Sequence, residues 1–226
     1  GLADGYYSLK VDDANSCHKE TTGIRVQQPD APLKLTFTQK DVDCYGNSTG
    51  EVYPLATGGW KPYQFGINGT LNGSVSKITG LKATLSAPDT VFVIDSAGIA
   101  EKLPVTIKQP SKLIASARQV YNLKCFEDLS GAVKLNISGG TPGYSISTDK
   151  KIWVPGDSIS GLPAASNKVI YVKDNNNCPS NVSVTITQPE KLITSVDSVI
   201  SSLCNENNGA VYITVSGGSP SYQYLW

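Results

Sequence analysis

The 226-residue sequence contains no methionine and one histidine, His18. A single His excludes HExxH-type metal sites and multi-histidine clusters, and leaves any imidazole acid–base chemistry to His18 alone. Neither sign of charge is in excess: Lys+Arg 19 balance Asp+Glu 19. That balance argues against nucleic acid as a partner, because phosphate binding is driven by clustered Lys and Arg. No stretch approaches the roughly 18 consecutive apolar residues of a transmembrane helix, so none of this segment is expected to insert in a membrane. The chain also lacks an initiating Met and a basic-plus-apolar leader, and we therefore expect it to be a piece of a longer protein. Helix-favouring runs of Ala, Glu, Leu and Lys are scarce, whereas Gly, Ser, Thr, Asn, Val and Tyr are plentiful.

What the chain does have is internal repetition. Gln-Pro recurs at Gln28-Pro29, Gln109-Pro110 and Gln188-Pro189, at spacings of 81 and 79. Gly-Gly recurs at Gly58-Gly59, Gly139-Gly140 and Gly217-Gly218, each followed four residues after its second Gly by Tyr63, Tyr144 or Tyr222. Cys44, Cys125 and Cys204 keep the same phase, as do the Gly-Leu pairs at Gly1-Leu2, Gly80-Leu81 and Gly161-Leu162. Five markers in one register define the expected domains: residues 1–29 as the C-terminal part of one repeat, 30–110 and 111–189 as complete repeats, and 190–226 as the N-terminal part of a further repeat. A unit of about 80 residues is long enough for a small autonomous domain with a modest core.

Within each unit, short alternating segments are separated by turn residues at roughly ten-residue spacing. Leu33–Phe37 alternates apolar and polar side chains, and Ala132–Ile137 and Ala210–Val215 repeat one such strand in successive units. Each of the latter two ends at Gly-Gly, which lets the chain turn at positive φ. Val91–Asp95 and Val169–Asp174 form a further strand, matched by Tyr7–Asp13 and followed by a tight turn. About seven strands per unit and no helical periodicity predict an all-β protein, a tandem of immunoglobulin-like β-sandwich repeats forming a rod. Each Gln-Pro leaves only a short, Pro-stiffened joint before the next strand.

The string Gly139-Gly140-Thr141-Pro142-Gly143-Tyr144, the later Gly161-Leu162, Tyr171-Val172-Lys173-Asp174 with Cys178 four residues on, and the closing Val184-x-Ile186-x-Gln188-Pro189 together resemble the SprB repeat. The resemblance spans essentially the whole chain. Trp60, after Gly-Gly, and Ile99, at the place of the late Cys, depart from it. It implies non-catalytic stalk or adhesive repeats of a very large surface adhesin of gliding Bacteroidetes, exported by the type IX secretion system. The implied location is extracellular, at the cell surface, with outer-membrane attachment through the parent protein. The implied partners are neighbouring repeats, surface polysaccharide, and gliding or secretion machinery reached through other parts of that parent; no cofactor is implied. The alternative is a spacer or glycan-binding region of a secreted polysaccharide-degrading enzyme. Secreted proteins of that phylum are O-glycosylated at Asp-[Ser/Thr]-aliphatic motifs, a pattern matched at Thr90, Ser96, Ser158 and Ser198.

Regular cysteine spacing without CxxC argues for disulfides in an oxidising compartment rather than zinc. Cys125–Cys178 would pair within one repeat, but would have to span a strand length of about 20 Å, six residues at ~3.3 Å each. In an immunoglobulin-like topology the loop holding Cys44 and the hairpin holding Cys178 face each other at successive repeats, within reach of the ~4.4–6.8 Å Cα separation that a disulfide needs. Sequence reasoning favours Cys44–Cys178, with Cys17, Cys125 and Cys204 pairing outside the fragment, and keeps Cys125–Cys178 and free thiols as alternatives.

Other candidate sites are weaker. His18, which follows Cys17, reads as an exposed turn residue in no apparent Ser or Cys base pairing. The hairpins at Asp12–Asn15, Asp95 and Asp174–Asn177 offer oxygen ligands for calcium, but Asp and Asn also favour tight hairpins, and no EF-hand spacing is present. Trp60 and Trp153 flank turns and are the candidate contact aromatics, whereas Tyr63, Tyr144, Tyr222 and Trp226 read as core. No catalytic set emerges.

Overall fold

The computed structural model describes residues 1–226, all β and without a helix. It divides into two compact units: Gly1–Val42 with Gly46–Gln109, and Asp43–Tyr45 with Pro110–Trp226.

The first unit opens with an antiparallel hairpin of β1 (Gly5–Asp12) and β2 (His18–Val26). Seven strands follow: β3 (Lys34–Lys40), β4 (Gly50–Thr57), β5 (Gln64–Ile67), β6 (Thr70–Gly73), β7 (Ile78–Leu81), β8 (Asp89–Ile94) and β9 (Ala100–Val105). They form a three-stranded sheet, β3-β4-β7, and a four-stranded sheet, β6-β5-β8-β9. This is the three-plus-four arrangement of an immunoglobulin-like sandwich. Along β4 the period-two pattern buries Val52, Pro54 and Ala56 and leaves Tyr53, Leu55 and Thr57 outside, as a half-solvated antiparallel sheet requires. Leu35 and Val52 from one sheet meet Phe65, Val91, Val93 and Val105 from the other in a single core.

One residue breaks the alternation. Phe92 lies between Val91 and Val93, so its side chain points to the outer face, yet it is buried. Its strand partner is Gly66, and a Cβ there would fall 2.2 Å from the Phe92 ring. The missing side chain leaves the bed in which the ring lies.

The second unit repeats the plan with β10 (Ile114–Tyr121), β11 (Gly131–Ser138), β12 (Ser145–Ser147), β13 (Val154–Pro155), β14 (Ser158–Leu162), β15 (Ala165–Lys173) and β16 (Pro179–Ile186). Its sheets are β10-β11-β14 and β13-β12-β15-β16. Val133 and Leu135 pack against Ile146, Ile170, Val172 and Ile186. A hairpin of β17 (Ile193–Ile200) and β18 (Ala210–Ser216) completes the unit. That ribbon carries no second sheet over it. Trp226, read from the sequence as core, is accordingly 84% exposed, since core burial needs an opposing apolar layer that the ribbon does not have.

Candidate functional site

The recurring motifs converge at the Gly-Gly turn. In all three copies the Tyr hydroxyl donates back to the carbonyl of the first Gly: Tyr63 to Gly58 at 2.5 Å, Tyr144 to Gly139 at 2.8 Å, Tyr222 to Gly217 at 2.6 Å. The N–H of the second Gly donates to Ala31, Ser111 or Glu190, at 2.8–2.9 Å. The first Gly has φ of 69–73°, and a Cβ on Gly58, Gly139 or Gly217 would stand 2.0 Å from the carbonyl oxygen of Pro32, Lys112 or Lys191. Positive φ and backbone crowding together demand glycine there.

Sequence reasoning did not find the second half of this latch. Asp95 is nearly buried, 5% exposed; its Oδ2 accepts the Trp60 N–H at 3.0 Å, and its Oδ1 accepts those of Ala97 and Ile99. Asp174 does the same with Thr141, Asn176 and Cys178, and Asp13 with Asn15 and Cys17. Each Asp closes its own hairpin, and Asp95 and Asp174 also tie it to the Gly-Gly turn. The Trp60 N–H first, then those of Ile99, Ala97 and Gly98, hold the Asp95 carboxyl below the usual carboxylate range, because they stabilise its charged form. These oxygens, for which the sequence left calcium ligation as the weaker alternative to hairpin closure, are directed at backbone donors.

Cys44 and Cys178 are joined by a disulfide, with S–S 1.99 Å and Cα–Cα 5.5 Å, across a sequence separation of 134. Cys44 lies in the β3–β4 loop, within the segment Asp43–Tyr45 that belongs to the second unit, and Cys178 lies in the β15–β16 turn, 5% exposed. Asn176 Nδ2 donates to the Asp43 carbonyl at 2.9 Å and to Thr141 Oγ1 at 3.1 Å. Cys17, Cys125 and Cys204 are free and exposed. Cys17 nevertheless sits in a β1–β2 turn built like the β15–β16 turn of Cys178, with its N–H 2.8 Å from Asp13 Oδ1 against 2.8 Å from Asp174 Oδ1 for Cys178. The Cys125 loop is likewise held as the Cys44 loop is. Gln188 accepts the Glu127 N–H at 3.0 Å, and Gln109 accepts the Gly46 N–H at 2.7 Å. Gln109 and Gln188 of the second and third Gln-Pro thus each fix the early-cysteine loop of their own repeat, a role their position at the domain end did not disclose.

The remaining candidates are dispersed. His18 is exposed and opens β2 opposite Asp12. Thr90 is half-buried in β8, its N–H donated to Asn68 Oδ1. Ser96 is exposed, its hydroxyl donated to the carbonyls of Trp60 and Lys61, while Ser158 and Ser198 are exposed on β14 and β17. Trp60 and Trp153 are half-exposed. Trp153 is engaged on two sides: its Nε1 donates to the Lys150 carbonyl at 3.2 Å, and Lys173 Nζ lies 4.6 Å from its ring centroid. A second pair, unforeseen in the sequence, sets Lys150 Nζ 4.4 Å from the centre of the Tyr171 ring. No group of three or more His, Cys, Asp or Glu side chains is arranged to hold a metal ion, and no helix is long and apolar enough to cross a membrane.

No curated protein matches the sequence. Among solved structures, the three N-terminal domains of the bacteriophage RB49 Highly Immunogenic Outer Capsid protein (Hoc) are similar at 12% identity and a TM-score of 0.41, over 84% of this chain and 71% of that one. The family model of the SprB repeat matches three segments, residues 36–72, 117–148 and 198–226. Each begins within the first strand of its repeat and runs past the early Cys and the Gly-Gly turn to or beyond the Tyr. These segments hold the Gly-Gly turn, its Tyr and the early-cysteine loop, and the chain carries three matches to the SprB repeat.

Proposed function

We propose that this chain is a non-catalytic stalk segment of a very large cell-surface adhesin filament, exported by type IX secretion and used by a gliding member of the Bacteroidetes for movement and attachment. The three SprB-repeat matches support a cell-surface, adhesin-like repeat region, and the observation that carries the rest is the cysteine arrangement. One early-cysteine loop and one late-cysteine turn are already joined. The same loop at Cys125 and the same turn at Cys17 stand prebuilt with free thiols. In this reading Cys17, Cys125 and Cys204 pair with cysteines outside this chain, so that residues 1–29, 30–110, 111–189 and 190–226 are links of one covalently reinforced series. A stalk that transmits pulling force gains from such closure, because a disulfide bars the extended states of the unfolded chain.

The surface Ser and Thr residues are sites of O-glycosylation in this reading, with Ser96, Ser158 and Ser198 exposed and Thr90 less so; an intact mass equal to that of the polypeptide contradicts modification. The functional test is made on living source cells, with beads carrying antibody against residues 111–189. Beads that bind and travel along the cell are the expected result. Beads that bind and stay still leave a static stalk and overturn the motility role. Antigen found only in the medium contradicts the stalk and favours a spacer in a secreted polysaccharide-degrading enzyme.

A further inference from the structure

We infer that the outer face of the β13-β12-β15-β16 sheet is a binding patch for an anionic polysaccharide of the polyuronate class, centred on Lys150, Trp153, Tyr171 and Lys173. This goes beyond the stalk reading and does not depend on it. The four side chains form two ring–ammonium pairs, Lys150 with Tyr171 and Lys173 with Trp153, at 4.4 and 4.6 Å. Tyr171 and Lys173 project from the same side of β15, two residues apart, opposite Ser147 and Ser145 on β12. Their inward neighbours Ile170 and Val172 are fully buried, so the pair faces outward.

The turn that brings in the other pair is firmly built. The buried Ser147 hydroxyl accepts the N–H groups of Asp149 and Lys150 and donates to Asp149 Oδ1. Asp149 Oδ1 in turn accepts those of Lys151 and Ile152. One oxygen of this turn's single carboxylate, Asp149 Oδ1, is engaged by these donors, and the exposed Asp149 is outnumbered by the exposed Lys150 and Lys151. An ammonium held over an aromatic ring loses less side-chain freedom when an anion arrives, which lowers the cost of binding.

Charge and chemistry select the ligand. The whole chain is neutral, yet residues 110–189 hold eight Lys/Arg against five Asp/Glu, a net +3, while residues 30–109 hold seven of each, net 0. The positive excess thus sits on the repeat that carries the patch, where it raises the local concentration of a polyanion. The matching sheet of the first unit offers Phe92, Ile94 and Lys102 instead, and serves as an internal control. Half-exposed aromatic rings complement the C–H faces of sugars. One ammonium for each ring matches a polymer with one carboxylate on each sugar.

The test uses the whole chain in native gels cast with polygalacturonate, with dextran, or with a sulfated galactan. Retardation by polygalacturonate that weakens with added salt is expected, with no retardation by dextran. The Lys150→Gln/Lys173→Gln double variant should bind at least tenfold more weakly at an unchanged melting temperature, and Lys102→Gln should bind as the parent does. Retardation by the sulfated polymer alone, equal retardation by dextran, or undiminished binding of the double variant overturns the proposal.

Discussion

At the residue scale, stability at the repeat ends rests on a few atoms with no substitute. Gly139→Ala brings a Cβ to within 2.0 Å of the Lys112 carbonyl oxygen at φ +73°, whereas Gly161, at φ +74°, has nothing within 4 Å. Urea unfolding should therefore show Gly139→Ala destabilised by about 2–3 kcal/mol and Gly161→Ala by about 1 kcal/mol, the latter a backbone effect alone. Equal losses would mean that the crowding at Gly139 has no energetic weight. The Asp95 carboxylate gives a signed pH dependence. Its pKa in the folded chain is lowered, chiefly by the Trp60 N–H, so its contribution is complete above the unfolded value of about 3.9 and is lost as pH falls through the lower folded value. Asp128, held chiefly by the Ser130 N–H, and Asp149, held by that of Ile152, act in the same direction. Asp95→Asn should melt lower at pH 7 and lose less of its remaining stability between pH 5 and pH 2 than the parent, followed by circular dichroism. An unchanged acid profile would contradict the latch.

At the scale of elements, the period-two strands were legible because burial on one face writes itself into every second residue. The segments of β3, β11 and β18 stood out in this way, and those of β8 and β15 as apolar runs ending in Asp. Strands β6, β7, β13 and β14 are two to five residues long and too short for alternation to register. The bulge in β10–β11 near Ala117, repeated near Val196 in β17–β18 and absent from the register given for β3–β4, has no counterpart in composition. The Asp latch was hidden for a different reason. Asp95 and Asp174 lie some 35 residues from the Gly-Gly turns they bond, and hairpin propensity alone accounts for an Asp at either place. Core packing is the testable part of this scale. Ile170 is fully buried between the sheets of the second unit, and Ile170→Ala should cost about 2–5 kcal/mol. A loss below about 1 kcal/mol would show that the site collapses around the smaller side chain.

At the scale of the whole chain, the cysteines matter most. The three early cysteines keep one phase, but only Cys44 is bonded here, and to a partner 134 residues away. Closing a loop of that length is worth about 5 kcal/mol in the chain-entropy description. Reduction should lower the unfolding midpoint of the parent and leave a Cys44→Ser/Cys178→Ser variant unmoved; a parent indifferent to reductant would mean that the bond constrains nothing. The cysteine phases in the sequence favoured this pairing without excluding the pairing within one repeat. The most direct measurement of the account is therefore a peptide map of the non-reduced protein by mass spectrometry. The account predicts a peptide linking Cys44 to Cys178, with Cys17, Cys125 and Cys204 recovered as thiols from the isolated chain. A peptide linking Cys125 to Cys178 would contradict it.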